Sequence, residues 1–357
     1  MARAPYRHRP VPKRRRQTRR RPEPWWAALP TEDLLEVRLC DLDLRLEGTA
    51  LQARIAKLHD ELARVGLVFR PYVWLATDWF TPEGSTGFAV PFYLAHRRLA
   101  RLEHAQMFEA EGTSHELCMQ LLRHEAAHAF DNAYRLHRRA DWRATFGRYS
   151  VPYRSAYRVR PTSRHYVHHL DHWYAQSHPA EDWAESFAVW MTPNSKWQKT
   201  YEGWPALRKL QTLDTMVRDV GDLRPFVHSS DRPESLPKQR ITLREFYRRK
   251  KAAYGEQPWR FDRELRLVFT PADATARREH AATFLLRDRV GLRARVSSLT
   301  GQPRYVVDQA LQAMVQRCRE LDLRVTRPRA ETRLGAAVLS TMATQQLARG
   351  HRPRFRR

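Results

Sequence analysis

Residues 113–136, TSHELCMQLLRHEAAHAFDNAYRL, contain the pattern that decides the fold expected for this chain. Residues 124–128 within it, HEAAH, form an H-E-x-x-H motif. Thr113 followed three residues later by Glu116 predicts a capping box, and apolar residues then recur at helical spacing. Because residues four apart share one face of a helix, both histidines of the motif are predicted to project side by side.

The residue types of this motif indicate metal chemistry. Two imidazoles one helical turn apart can bind the same Zn²⁺, so His124 and His128 are predicted ligands. Glu125 lies beside them, where its carboxylate can take a proton from a water molecule at the metal. A motif with three fixed residues can also occur by chance in a chain with 16 histidines, so the motif alone leaves a coincidental match open.

A second segment, HPAEDWAESFAVW at 178–190, predicts a helix rich in carboxylates. Pro179 suits the first turn, where its missing N–H costs nothing. Glu181 and Glu185 are four residues apart and are predicted to project from one face. A zinc peptidase needs three protein ligands and one open position, so Glu181 is the predicted third ligand. Glu185 is predicted to accept a hydrogen bond from the outer N–H of a ligand histidine. The alternative is that the two glutamates form a solvated acidic face of an amphipathic helix.

The two motifs together resemble the gluzincin metallopeptidases, zinc enzymes with two His ligands and one Glu ligand. HEAAHAFD and EDWAESFA are most similar to the lethal-factor-like branch, in which H-E-x-x-H-A-x-D is followed by E-x-x-A-E-x-F. The blocks WYAQSHPAEDWAESFAVW and GWPALRKL also resemble a bacterial family of zinc-binding metallopeptidases. This resemblance covers about residues 41–254.

The resemblance implies an α+β, zincin-like metallopeptidase domain, in which a small sheet with an edge strand accompanies the H-E-x-x-H helix and the acidic helix. It assigns the same ligands and the same base as the motifs do. It also implies that Tyr174 donates a hydrogen bond to the developing oxyanion, whereas an ordinary packed aromatic is the alternative. Asp131, three residues after His128, is predicted either to orient that histidine or to lie on the helix surface.

Other zinc patterns fit less well. A metzincin would place a third histidine where Tyr134 stands and a glycine where Asp131 stands. A histidine-rich connection competes for the metal, although its side chains are predicted mainly to lie at the surface or along a substrate cleft. Its members are His165, His168, His169, His172 and His178. One Zn²⁺ per chain is the expected cofactor, and Mn²⁺ or Co²⁺ could occupy the same ligands.

A substrate-binding strand is predicted before the motif helix. Residues 67–75 and 88–95 have the composition of strands, with a glycine-containing turn at 81–87 between them. Pro91 cannot donate to a ladder, which predicts an edge strand that could pair with an extended peptide. An edge strand without a ligand is the alternative. The residues predicted to contact substrate are Phe88, Val90, Phe92 and His178.

Composition predicts a mostly globular chain with basic ends. The apolar share is 42% and there are 11 Trp. Residues 1–22 hold ten Lys or Arg and residues 349–357 hold five Arg, both without acid, which leaves +10 of the net +25 for the rest. The tails could bind nucleic acid or an acidic partner nonspecifically, by charge alone. No zinc-finger spacing or base-stacking motif supports a nucleic-acid-binding protein, which is the weaker alternative.

The expected organisation has four parts. They are a disordered basic tail (1–28), a zinc metallopeptidase domain (29–256), a mostly helical C-terminal region (257–348) and a second basic tail (349–357). Helical spacing in the C-terminal region predicts helices over 281–292, 306–321 and 332–347. This region could recognise a partner or complete the catalytic core.

The compartment is predicted to be cytoplasmic. The three cysteines are scattered and odd in number, which indicates a reducing environment. No signal-type apolar segment follows the basic N-terminus, and no apolar run is long enough to span a membrane. The predicted function is hydrolysis of a peptide or protein substrate of open identity. A zinc-bearing protein that binds a peptide without cutting it is the other alternative.

Overall fold

The computed structural model describes residues 23–153, 157, 159–253, 262–272 and 278–349 of the 357-residue chain. Within these residues the architecture is α+β, with helices predominating over two small sheets. The α-helices are α1 (Thr31–Leu35), α2 (Ala50–Arg64), α3 (Arg97–Met107), α4 (His115–Tyr134), α5 (Ala140–Phe146), α6 (Pro179–Met191), α7 (Trp197–Thr200), α8 (Pro205–Arg218), α9 (Leu243–Ala252), α10 (Asp262–Val268), α11 (Ala281–Thr300), α12 (Arg304–Glu320) and α13 (Arg329–Arg349). The strands are β1 (Tyr72–Ala76), β2 (Gly87–Pro91), β3 (Thr270–Pro271) and β4 (Leu323–Arg324).

Helix α4 carries the H-E-x-x-H motif through the centre of the larger core. The predicted cap at Thr113 is wrong by one residue, because Ser114 is an equally good capping residue and its hydroxyl accepts from Leu117 N at 3.1 Å. The Thr113 hydroxyl donates to the Ala110 carbonyl instead. The helix ends at Tyr134, and the next residue, Arg135, has a left-handed φ of 54°. Most of its residues are buried, so it is surrounded by other elements.

Helix α6 packs against α4 and begins where the sequence predicts. Pro179 occupies its first position, and the Nδ1 atom of His178 accepts from Ala180 N at 3.1 Å as the cap. Trp183 and Phe187 project into the common core with α4, where both are 0% exposed. The apolar side of α6 therefore faces the core and brings its carboxylates against the motif helix.

The first sheet corrects the prediction of a substrate-pairing edge strand. Strands β1 and β2 are parallel, and Ala89 pairs with Trp74 on one side and forms a bridge with Phe80 on the other. The strand ends at Pro91, after which Phe92–Ala95 form a 3-10 helix. The predicted substrate contacts Phe88, Val90 and Phe92 are 0% exposed and belong to the core. They are therefore unavailable to a peptide.

The described residues contain two large hydrophobic clusters. The first draws on residues from Trp26 to Tyr247, and the second on residues from Leu265 to Leu339. Helices α11, α12 and α13 pack together in the second, which confirms the three helices predicted there with somewhat longer bounds. Asp308 is 0% exposed within this bundle and is held by Arg289, Arg293 and Gln312. The predicted boundary near 257 lies outside the described residues and stays a prediction.

The folded part of the chain begins before residue 29, the predicted start of the metallopeptidase domain. Trp25–Ala28 form a 3-10 helix, and Trp26 is fully buried with its indole N–H donating to the Leu42 carbonyl at 3.0 Å. Residues 1–22 and 350–357, which make up most of the two predicted tails, lie outside the described residues. Among the residues that the structure does describe, no helix is both long and apolar enough to cross a membrane.

Candidate metal centre

Three predicted ligands converge between α4 and α6. His124 and His128 project from α4 with their Nε2 atoms 3.2 Å apart. The Oε2 atom of Glu181, in the first turn of α6, lies 3.0 Å from Nε2 of His124 and 3.3 Å from Nε2 of His128. Among the described His, Cys, Asp and Glu side chains, this is the group of three whose ligand atoms lie within 4.8 Å of one another. The arrangement has the donor types of a His₂Glu zinc site.

Glu185 fixes the tautomer of His124. Its Oε1 atom lies 2.8 Å from Nδ1 of His124, and its Oε2 atom accepts from Leu170 N at 2.8 Å. Because an ionised carboxylate can only accept, Nδ1 must carry the proton. Whenever Nε2 of the same ring is unprotonated, its lone pair points towards the Glu181 carboxylate. Two electron-pair donors 3.0 Å apart repel each other unless a cation lies near both of them.

The electrostatics of the group favour such a cation. Burial alone would lower the pKa of His124, but hydrogen bonds and charge from Glu181 and Glu185 raise it well above its ordinary value. Burial alone would likewise raise the pKa of Glu181, but the charges and hydrogen bonds of His128 and His124 hold it well below its ordinary value. The site thus stabilises positive charge at the ligand atoms. A proton or a divalent metal ion would satisfy it, and the donor set fits Zn²⁺.

Glu125 lies beside the ligands and is oriented by a residue that the sequence did not reveal. Its Oε2 atom accepts from the Thr81 hydroxyl at 2.7 Å. Burial raises the pKa of Glu125, against the opposing effects of the neighbouring histidines and of Thr81. Thr81 is separated from Glu125 by 44 positions and lies in a turn that carries no metal-site motif. Only the packing of that turn against α4 brings the two together.

Two tyrosines approach the centre. The ring of Tyr174, the predicted oxyanion donor, lies 5.6 Å from the ring of His124 between centroids. Its burial raises the pKa of the phenol well above the ordinary value, so the hydroxyl stays protonated and able to donate. The hydroxyl of Tyr153, which the sequence did not single out, donates to Oε1 of Glu181 at 2.6 Å. The connection is rich in aromatic residues, but nothing in it distinguishes Tyr153 from its neighbours.

Asp131 plays neither of the predicted parts. It is 3% exposed, and its carboxylate accepts from the backbone N of His137 at 2.8 Å and from that residue's Nδ1 at 2.7 Å. Its backbone carbonyl accepts from Arg135 N at the end of α4. Asp131 therefore holds the turn that follows the motif helix, and neither orients His128 nor lies on the surface.

The histidine-rich connection does not contribute to the described ligand group. His178, predicted to bind substrate, is 5% exposed and caps α6, while its Nε2 donates to the Val151 carbonyl at 2.7 Å. His169 lies against α4, where its Nε2 is 3.0 Å from the Gln120 carbonyl. His165 and His168 are exposed, and the side chain of His172 lies outside the described part of the chain. The described members of this cluster thus have structural or surface positions.

Comparison of the chain with protein-family models, with curated proteins and with solved structures gave no match. The resemblance to gluzincins consequently remains a prediction from the two motifs.

Proposed function

We propose that this protein is a zinc-dependent metallopeptidase of gluzincin type. The observation that carries the proposal is the convergence of His124, His128 and Glu181, with the carboxylate of Glu125 beside them. A His₂Glu set leaves one position open, which is typical of catalytic rather than structural zinc. When bound, Zn²⁺ would polarise a scissile carbonyl and lower the pKa of water at that open position.

Glu125 is the residue suited to move the proton. A carboxylate with a raised pKa is a better base than an exposed one, and Glu125 is 7% exposed in a buried setting that raises its pKa. It would accept a proton from the attacking water and pass it to the leaving amine. The Thr81 hydroxyl holds one carboxylate oxygen, so that the other can face the reacting water.

Tyr174 is the residue suited to support the oxyanion. Its ring adjoins His124, and a phenol that stays protonated can donate a hydrogen bond to charge that develops on the carbonyl oxygen. Together these residues provide a base, a donor and a set of metal ligands on one side of α4 and α6. The substrate is a peptide or protein of unspecified sequence.

Metal content and peptide cleavage together test this function. Elemental analysis of wild type should find about one zinc per chain, lost in His124→Ala and Glu181→Ala. The exposed His165 offers a matched control, and His165→Ala should keep the metal. Glu125→Gln should keep zinc but lose cleavage of a mixed fluorogenic peptide library.

Three results would count against the proposal in different ways. Wild type without metal after zinc reconstitution would overturn the metal centre. Unchanged cleavage by Glu125→Gln would overturn the assigned base. A zinc-loaded wild type that binds peptides from the library without cutting any would replace the peptidase with a zinc-bearing binding protein.

A further inference from the structure

The two oxygens of the Glu181 carboxylate have different partners. Oε2 faces the Nε2 atoms of His124 and His128 at 3.0 and 3.3 Å. Oε1 accepts the hydrogen bond from the Tyr153 hydroxyl at 2.6 Å. An O–H···O⁻ bond of this length is charge-assisted and about twice as strong as a neutral one. One oxygen is thus directed to the ligand group, while the other is held away from it.

Tyr153 is itself held in place by the start of α6. Its ring stacks on His178, with 3.8 Å between centroids and 11° between planes. His178 is fixed at both nitrogens, because Nε2 donates to the Val151 carbonyl and Nδ1 accepts from Ala180 N. The cap of α6 therefore also orients the tyrosine that bonds the carboxylate one turn further along. This gives a role to His178 that does not involve substrate.

We infer that Tyr153 is a positioning residue that restricts Glu181 to one metal-binding oxygen. The inference rests on the proposed metal centre. A carboxylate can bind a metal through one oxygen or through both, and binding through both is common for larger ions. With the Tyr153 hydroxyl bonded to Oε1, binding through both oxygens would weaken a charge-assisted hydrogen bond, because Oε1 would have to share its electron density between the proton and the metal. The centre is thereby kept at three protein donors, the number that suits zinc with one open position.

This role differs from the one proposed for Tyr174. The Tyr153 hydroxyl is directed at a ligand carboxylate, whereas the Tyr174 ring lies against a ligand imidazole. Removal of the Tyr153 hydroxyl should therefore change the metal centre before any substrate is present. A readout on the metal separates this role from an effect on catalysis alone.

Tyr153→Phe in the full-length chain, reconstituted with Co²⁺ in place of Zn²⁺, tests the inference. The phenyl ring keeps the stacking on His178, so the variant should fold. Visible absorption of Co²⁺ weakens as its coordination number rises. Wild type should show the intense bands of four-coordinate Co²⁺, and Tyr153→Phe weaker bands with one metal still bound per chain. Outer contacts of this kind affect metal affinity by roughly 10–100-fold, so chelator competition should show zinc bound more weakly by that factor.

Tyr166→Phe is the matched control. Tyr166 belongs to the same connection, but its ring lies beneath the Lys209 ammonium, 4.3 Å from the ring centroid, and this variant should match wild type. A wild-type spectrum and a wild-type zinc affinity in Tyr153→Phe would overturn the inference and leave the metal centre intact. A wild type that takes up neither metal would overturn the centre itself, and this inference with it.

Discussion

The hydroxyl of Thr81 lies 2.7 Å from Oε2 of Glu125 and joins the turn before β2 to the motif helix. The same loop is attached to α4 a second time, at Asn132, which lies two helical turns after Glu125. The Asn132 amide donates to the carbonyls of Pro82 and Ser85 at 3.0 and 2.9 Å. Two points of attachment set the turn against α4. The orientation of the candidate base therefore depends on a segment far from it in the sequence.

Thr81→Val should lower kcat for peptide cleavage while zinc content stays unchanged. Valine has nearly the same shape but cannot donate, and a hydrogen bond to a charged group contributes about 1.5–3 kcal/mol, so the expected loss is about tenfold to hundredfold. Steady-state kinetics on the zinc-loaded protein would measure it. Thr81→Ser restores the hydroxyl and should recover most of the rate. An unchanged kcat in the valine variant would show that the Thr81 hydroxyl does not assist the base.

Tyr174→Phe should reduce kcat with little change in KM. Loss of one oxyanion donor typically costs roughly 10²–10³ in rate, because the hydrogen bond strengthens only as charge develops. The variant should still bind zinc, since the ring and its contact with His124 remain. Tyr166, whose ring lies beneath the Lys209 ammonium, provides a control tyrosine away from the ligands. Equal kcat in wild type and Tyr174→Phe would leave the oxyanion donor unassigned.

Glu185→Gln should weaken zinc binding without large loss of folding. The carboxylate accepts from both His124 and Leu170, whereas an amide offers one acceptor and turns its N–H₂ group towards one of these donors. Residues that accept a hydrogen bond from the outer ring nitrogen of a ligand histidine affect metal affinity by roughly 10–100-fold. Competition with a chromogenic chelator would measure this, with the exposed Glu202→Gln as control. Wild-type affinity would mean that Glu185 does not orient the ligand.

Glu61 and Arg123 should make the stability of the fold sensitive to acid. The Arg123 guanidinium, one position before His124, bonds both oxygens of the buried Glu61 carboxylate at 2.8 and 3.1 Å. Burial alone would raise the pKa of Glu61, but Arg123 and Lys57 lower it below the ordinary 4.5. A lowered pKa means that the pair stabilises the fold fully above pH 4.5 and loses this effect as the pH falls through the folded-state pKa.

Chemical denaturation of Glu61→Gln over a range of pH tests this contribution of the ion pair to stability. A metal chelator is present in every sample. Loss of one partner from a buried ion pair costs about 3–5 kcal/mol, so the free energy of unfolding should fall by up to that amount at neutral pH. The difference from wild type should shrink as the pH falls below 4.5 and be smallest below the folded-state pKa, where Glu61 of the folded wild type also becomes neutral. Glu202→Gln should follow wild type at every pH. A difference that is constant with pH would show that the Glu61 charge does not stabilise α4.

Local spacing made part of the site predictable. His124 and His128 are one turn apart on one helix, as are Glu181 and Glu185 on another, and such relations follow from helix geometry whatever the surroundings. The predicted capping residue, Thr113, differs from the observed one, Ser114, by a single position, because both side chains carry a hydroxyl that can cap a helix. The role of Asp131 was predicted wrongly. Its carboxylate accepts from His137 across a left-handed turn, and the helical pattern of the sequence carries no signal for such a turn.

The prediction that β2 contacts a substrate failed for a related reason. A run of apolar residues has the same appearance in an edge strand and in a buried one, and Pro91 is tolerated because it ends the strand. Whether β2 faces a peptide or lies between β1 and Phe80 depends on the segments that pack beside it. Those segments are not specified by the strand itself.

The sequence alone thus determined the two helices and the ligand types they carry, because helical periodicity is a property of neighbouring residues. Tertiary structure alone decided which groups surround the ligands. Tyr153 reaches Glu181 across 28 positions and Thr81 reaches Glu125 across 44, and no local pattern encodes either contact. Burial between α4 and α6 also determines the charge state of these groups, because desolvation and the nearest partners set each pKa.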